Sequence, residues 1–271
     1  MARRSRRDRR RRRPDRQLDA CAGHVLVGLG FMLGPDAVVF LDFDGTITLR
    51  DATDAILEAF ADSAWLQVEE AWLSGRIGSR ECLAAQMALV SATREQVDRL
   101  LDDISVDPGL AGLLDTCEAL GVPVHIVSDG FDYCIERILG RRDVNVLTRL
   151  TNSHIVSSSL RPNGRRWLAS FPHPPEPCAH GCATCKPRAM DCLKGVGAVT
   201  VFVGDGMSDR WAANSANIVF AKDKLAAACD KASIAYTPYR TLAAVAEGID
   251  RLLGAGLGRP PSLCGKVFPP V

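Results

Sequence analysis

The sequence has no apolar run long enough to cross a bilayer, no internal repeat, and only six lysines among 271 residues. A membrane-spanning helix needs about 20 consecutive apolar residues. The stretch from Ala20 to Leu33 is shorter and is interrupted by Gly23, His24, Gly28 and Gly30, so no membrane role is expected. Without repeats, the length must form one large core, or a core plus a modest second domain. Positive charge is also scarce where a fold is expected. Residues 1–16 hold ten Arg and two Asp, which leaves 23 basic against 30 acidic residues in the remainder. An acidic body is a poor partner for nucleic acid, whose binding depends on Lys and Arg neutralising phosphates, and it suits a carboxylate-rich metal site.

Ten scattered cysteines do not form the dense framework of a small secreted domain, so a reducing cytoplasm is the expected setting. The arginines followed by a weakly apolar stretch superficially resemble a twin-arginine export signal, but no small-residue cleavage site follows. Residues 1–34 read as a disordered Arg-rich tail, and the Gly- and Pro-rich residues 254–271 as a flexible end.

What is present is a series of short apolar runs: Ala37–Leu41, Val122–Val127, Val199–Val203, Asn217–Phe220 and, more weakly, Ser233–Tyr236. Continuous apolar runs separated by helical stretches predict a parallel sheet covered on both faces, the doubly wound (Rossmann-like) α/β architecture, with ligands at the carboxyl ends of the strands. The segment 51–103 has helical periodicity throughout: Ile56, Leu57 and Phe60, then Trp65, Leu66 and Val68, then Leu83, Met87 and Val90. Gly75 and Gly78 interrupt it, and Thr93 with Gln96 forms a capping-box pattern. It is read as an inserted helical-bundle cap whose Trp and Met residues fill its core, with 35–50 and 104–253 forming the main domain. Arg161-Pro162-Asn163-Gly164 predicts a β-hairpin turning at Asn-Gly.

The first run ends in VVFLDFDGTIT, placing Asp42 and Asp44 at a strand tip, with Gly45 freeing the turn beyond. Strand alternation points both carboxylates the same way, so one can bind a hard cation while the other handles protons. In HIVSDG, Ser128 with the backbone N–H groups of Asp129 and Gly130 can cradle a phosphate, although taken alone Ser128 reads as a helix N-cap. VTVFVGDGMSD places Asp205 at another strand tip, with Asp209 four residues on.

The DFDGTIT string resembles the first motif of the haloacid dehalogenase superfamily of phosphohydrolases, and the resemblance extends from Asp36 to about Gly248. It implies that Asp42 is the nucleophile of an aspartyl-phosphate mechanism, that Asp44 is the acid and base, and that Ser128 binds phosphate. It further implies a charge-neutralising Lys ahead of the last motif: Lys186 fits, followed by Pro187 as a first-turn residue, whereas Lys194 sits where a cation merely ends a helix. Magnesium would be held by Asp42, the backbone carbonyl of Asp44, and Asp205, with Asp209 in support. The helical cap resembles the branch containing phosphoserine phosphatases. The Cys-rich loop, GDGMSD, VFAKDKL and YTPYRTL together resemble the 2-hydroxy-3-keto-5-methylthiopentenyl-1-phosphate phosphatases of methionine salvage and their relatives. Phosphoserine phosphatases hold the amino acid with an acid after the first motif, for which Asp51 is a candidate, and with a cap Arg; Gln86 stands in the latter's place.

The expected activity is therefore magnesium-dependent hydrolysis of a small phosphorylated metabolite, with phosphoserine as the alternative substrate. An alternative of another class is a zinc-binding interaction protein on a silent phosphatase fold, against which the intact Asp42, Asp44, Ser128, Lys186 and Asp205 argue. Cys178, His180, Cys182 and Cys185 include a Cys-x-x-Cys pair that could bind structural zinc and stiffen the loop carrying Lys186; the alternative is a set of reduced thiols or an adventitious disulfide.

Overall fold

The structure, a computed structural model, describes residues 37–150, 155–173 and 178–254. The tail at 1–34 and the segment beyond Gly254 lie outside them. Strand β1 (Ala37–Leu41) leads into α1 (Ala52–Phe60), α2 (Trp65–Leu73), α3 (Ser79–Ala88), α4 (Arg94–Asp102) and α5 (Leu110–Ala119), then β2 (Val124–Phe131) and α6 (Asp132–Leu139). The hairpin of β3 (Ile155–Asn163) and β4 (Arg166–Ser170) follows, then α7 (Lys186–Leu193), β5 (Val199–Gly204), α8 (Arg210–Ser215), β6 (Ile218–Ala221), α9 (Asp223–Ala232), β7 (Thr237–Pro238) and α10 (Leu242–Leu253). The sheet order is β4-β3-β2-β1-β5-β6-β7, parallel except for the edge strand β4. This is the predicted doubly wound α/β architecture. Among the described residues no helix is long and apolar enough to cross a membrane.

All five residues of β1 are buried, as a central strand covered on both faces requires. Register then decides what meets at the carboxyl edge. Leu41 pairs with Ile126 on one side and Val203 on the other, so the chain beyond β1, β2 and β5 emerges at one place in the fold.

Three expectations shift in register. The predicted strand at Ser233–Tyr236 is instead the exit from α9: Ser233 takes a left-handed conformation (φ 55°) that caps the helix, and Thr237–Pro238 pair with β6. Ile234 and Tyr236 supplied the apolar signal, but they pack against the second core cluster from a loop. The hairpin turns at Gly164-Arg165, one residue later than the Asn-Gly reading, because Gly164 takes the positive φ (65°) that the tight turn demands. Strand β2 runs beyond the predicted Val127 to Phe131, with an irregularity in its pairing between those residues.

The helices of 51–103 divide into two kinds. Helices α1 and α4 bury Ala55, Ile56, Leu57, Val97 and Leu101 in the main apolar cluster alongside Val39, Leu41 and Ile126. Thr93 and Gln96 form the expected capping box at the start of α4. By contrast, α2 has no buried residue, and Leu66 and Leu73 are more than half exposed. Helix α2 packs on α3, which packs on β4. The overhanging part of the insertion is therefore the α2–α3 pair, and its aromatic residues do not all fill a core. Trp65 packs against the apolar cluster, whereas Trp72 lines a cavity.

Candidate active site

Asp42 follows β1 directly, its N–H bonded to Val203 O at 2.9 Å, and is buried. Phe43 turns into the core, so Asp44 returns to the same side as Asp42. Gly45, at φ 74°, turns the chain where a Cβ would stand 2.4 Å from the Asp205 carboxylate; only glycine meets both demands. The Asp44 carboxylate accepts the N–H of Ala52 at 2.8 Å, fixing it against the first turn of α1. Thr46 Oγ1 donates to Asp205 Oδ1 at 2.6 Å, tying the β1 turn to the end of β5.

Lys186 is the first residue of α7, and its side chain is 2% exposed. Its ammonium donates to Asp42 Oδ1 at 2.7 Å and to Asp209 Oδ1 at 2.5 Å. Burial opposes the charge, but Asp209, Asp42 and Asp129 together hold the lysine firmly protonated. Asp209 Oδ2 accepts the N–H groups of Asp205 and Gly206 at 3.1 and 3.0 Å. With both oxygens engaged, Asp209 orients Lys186 and the Asp205 loop. Lys194, the rival on sequence, caps the far end of α7 and pairs with Asp191 on the surface.

Ser128 is buried, and its Oγ accepts the Gly130 N–H at 3.0 Å. It is not a helix cap: α6 starts after Phe131. Gly130 is required by proximity, since a Cβ there would lie 2.2 Å from Asp44 Oδ2 and 3.1 Å from Ser128 Oγ. The Gly130→Ala variant should therefore displace Asp44 and lose about 10²-fold in turnover, while its unfolding midpoint stays close to that of the wild type; paired kcat and chemical-denaturation measurements check this. The Asp129 carboxylate points elsewhere. It accepts Ser79 Oγ at 2.7 Å and the Thr184 N–H at 3.2 Å, linking β2 to the start of α3 and to the Cys-rich loop.

These groups open into a cavity of about 450 Å³, lined on the sheet side by Asp42, Asp44, Ser128, Gly130, Lys186 and Asp205 and on the cap side by Glu69, Trp72, Leu83 and Gln86. Carboxylate oxygens of Asp42, Asp205 and Asp209 lie within 4.8 Å of one another. Burial, then the Asp209 carboxylate, raises Asp42 well above the usual range, with Lys186 opposing. Burial raises Asp44 to about 7, against the pull of the Ala52 N–H, and burial with Asp209 nearby raises Asp205 to about 6. A cluster of hard oxygen donors whose negative charges are this confined fits a small divalent cation.

Several contacts of the site carried no sequence signal. Gln86 is buried and donates to Glu69 Oε2 at 2.9 Å, which aims the Glu69 carboxylate at the cavity. Thr46 was visible only as part of the DFDGT string, and Ser79 only as a residue after a helix-breaking glycine. Cys178, His180 and Cys182 come together, with their ligand atoms within 4.8 Å of one another, in a loop beside α3. Among the described residues all eight cysteines are free.

The family profile of the haloacid dehalogenase-like hydrolases matches residues 39–214. The chain is 28% identical over 218 residues to the 2-hydroxy-3-keto-5-methylthiopentenyl-1-phosphate phosphatase of Geobacillus thermodenitrificans, covering 79% of this chain and 96% of that one. The protein of the same name from Brevibacillus brevis is 30% identical over 209 residues, covering 76% and 90%. A substrate-bound phosphoserine phosphatase structure superposes with a TM-score of 0.58 at 16% identity, over 79% of this chain and 98% of that one. The phosphoserine phosphatase of T. onnurineus gives 0.59 at 14%, over 82% and 98%; at such identities these structures establish the fold. With that profile match, and with Asp42, Asp44, Ser128 and Asp205 at the carboxyl ends of three adjacent strands and Lys186 reaching them from the start of α7, the chain belongs to the haloacid dehalogenase-like hydrolases and is a phosphoric monoester hydrolase.

Proposed function

We infer that the protein hydrolyses a small phosphorylated metabolite without a carboxylate through an aspartyl phosphate on Asp42, with magnesium as cofactor. The observation that carries this reading is the convergence of Asp42, Asp44, Ser128, Lys186 and Asp205 on one cavity. Asp42, Asp205 and the main-chain carbonyl of Asp44 would hold the cation. When bound, it supplies positive charge that offsets repulsion between the attacking carboxylate and the phosphate.

The remaining work belongs to the chain. Lys186 keeps Asp42 oriented and neutralises phosphoryl oxygens, and Ser128 Oγ is placed to donate to one of them. An Asp42 oxygen forms a bond to phosphorus as the bond to the leaving oxygen breaks, and Asp44 gives that oxygen its proton. In the second step the ionised Asp44 takes a proton from water attacking phosphorus, which frees Asp42 and inorganic phosphate. The α2–α3 pair over the cavity excludes water and contacts the rest of the substrate.

The cap-side wall supports a substrate without a carboxylate. Asp51, Asp54 and Glu69 line it, and the Gln86 amide is already committed to Glu69. A phosphoserine carboxylate would face like charge, and Arg50, the arginine that lines the cavity, is already paired with Glu58. Hydroxyl or keto oxygens suit the acids and the amide, and Leu49, Trp72 and Leu83 can take an apolar end. Such a molecule has the chemistry in the name of the relatives, 2-hydroxy-3-keto-5-methylthiopentenyl-1-phosphate. The free thiols of the described cysteines fit action in the reducing cytoplasm.

Activity should vanish on EDTA treatment and return with magnesium. In a panel of phosphomonoesters, keto and hydroxy phosphates should have the highest kcat/KM and phosphoserine a low one, and Glu69→Gln should narrow that gap about tenfold. Phosphoserine as the best substrate of the panel would rule this reading out.

A further inference from the structure

We propose that Cys178, His180, Cys182 and Cys185 bind one zinc ion, which acts as a strut between the cap and the helix that carries Lys186. Neither the hydrolytic reaction nor its magnesium site uses these residues. Cys178 Sγ lies 3.9 Å from His180 Nδ1, and both lie within 4.8 Å of the Cys182 sulfur. Cys185 follows in the same loop, immediately before Lys186. Tetrahedral zinc with its usual bond lengths spaces sulfur from sulfur by about 3.8 Å and sulfur from nitrogen by about 3.6 Å. The loop thus presents three donors close to the separations that zinc requires, before any ion draws them in, with Cys185 three residues beyond Cys182 as the fourth. The His180 ring is held by stacking on Trp211, with 3.9 Å between ring centroids and 19° between planes. A ligand oriented by a neighbour loses little freedom on binding.

The surroundings give the ion its role. Gly181 turns the loop at φ 63°, and its carbonyl accepts the Arg80 N–H at 3.0 Å. A Cβ on Gly78 would stand 2.4 Å from that carbonyl, so backbone meets backbone where the loop touches α3. Ala183 N–H donates to Ser79 Oγ, and Thr184 N–H to Asp129 beside Ser128. Cys185 is the N-cap of α7 but makes no side-chain capping bond. As a zinc ligand, it anchors the helix start next to Lys186. One ion would thereby fix the cap helix α3, the segment after Ser128, and Lys186 relative to one another.

The test is elemental analysis of the full-length protein, purified without chelator and desalted. Wild type should retain one zinc per chain, Cys182→Ser and Cys178→Ser should lose it, and Asp205→Asn should keep it. Far less than one zinc in the wild type overturns the proposal, as does zinc that survives both cysteine substitutions or departs with Asp205→Asn, which places it in the catalytic centre. If the cysteine variants fail to fold, cobalt exchanged into the wild type decides. Thiolate-to-cobalt charge-transfer absorption with intense tetrahedral visible bands supports the site, and a weak octahedral spectrum without charge transfer refutes it. The readout is independent of turnover, so it separates from any failure of the phosphatase reading.

Discussion

Asp42→Asn will abolish turnover and phosphoenzyme together, because the amide is a poor nucleophile and removes a cation-binding charge beside Lys186. Asp44→Asn will behave differently. Its main-chain carbonyl is unchanged, and the amide oxygen can still accept the Ala52 N–H that positions the side chain. Proton transfer alone is lost, at a cost of about 10²–10⁴-fold with alkyl phosphates. A good leaving group such as p-nitrophenolate needs little protonation, so the first step survives while hydrolysis of the aspartyl phosphate, which needs Asp44 as base, is slowed. Phosphoenzyme should therefore accumulate on Asp42 in this variant. Rapid quenching followed by mass spectrometry of the Asp42 peptide measures it, and a phosphoryl group on any other residue would sink the mechanism.

Lys186→Gln should damage stability as well as rate. The lysine is buried between Asp42 and Asp209, and breaking such a pair strands charge in the interior, at about 3–5 kcal/mol in metal-free buffer. Turnover should fall by about 10²–10³-fold as charge stabilisation of the phosphoryl oxygens is lost. Adding Asp209→Asn separates the two effects. The double variant has one fewer stranded carboxylate and should recover part of the unfolding free energy, with no recovery of kcat. Denaturant midpoints without metal and kcat with magnesium are the measurements. A Lys186→Gln protein as stable and active as wild type would mean that the ion triad has no functional role.

The core elements and the catalytic string were legible because they obey local rules. Ala37–Leu41 is a strand by apolar continuity alone, and Asp42 and Asp44 share a side by alternation. Lys186 could be preferred over Lys194 from helix polarity, and the surface pairing of Lys194 with Asp191 agrees. What escaped depends on contacts across long stretches of chain. The Glu69–Gln86 bond joins the neighbouring helices α2 and α3, and the Asp129–Ser79–Ala183 chain joins a strand, a helix and a loop; no periodicity encodes such pairs. The β7 error has a local cause. Ile234 and Tyr236 are apolar in sequence, but a left-handed Ser233 offsets the chain before it reaches the sheet edge.

The absence of buried residues in α2 bears on how this enzyme can change. Glu69 and Trp72 face the cavity from a helix held to its neighbour by Gln86 and by weak sulfur contacts from Cys82 to Val68 and Glu69. Substitutions there disturb no close-packed interior, so they stay within the small stability changes typical of surface positions. Glu69 and Trp72 on the cavity wall are thus free to drift while Asp42 and Lys186, the proposed nucleophile and its lysine, stay buried. New substrate preferences are reachable by single mutations in α2, without passing through unfolded ancestors.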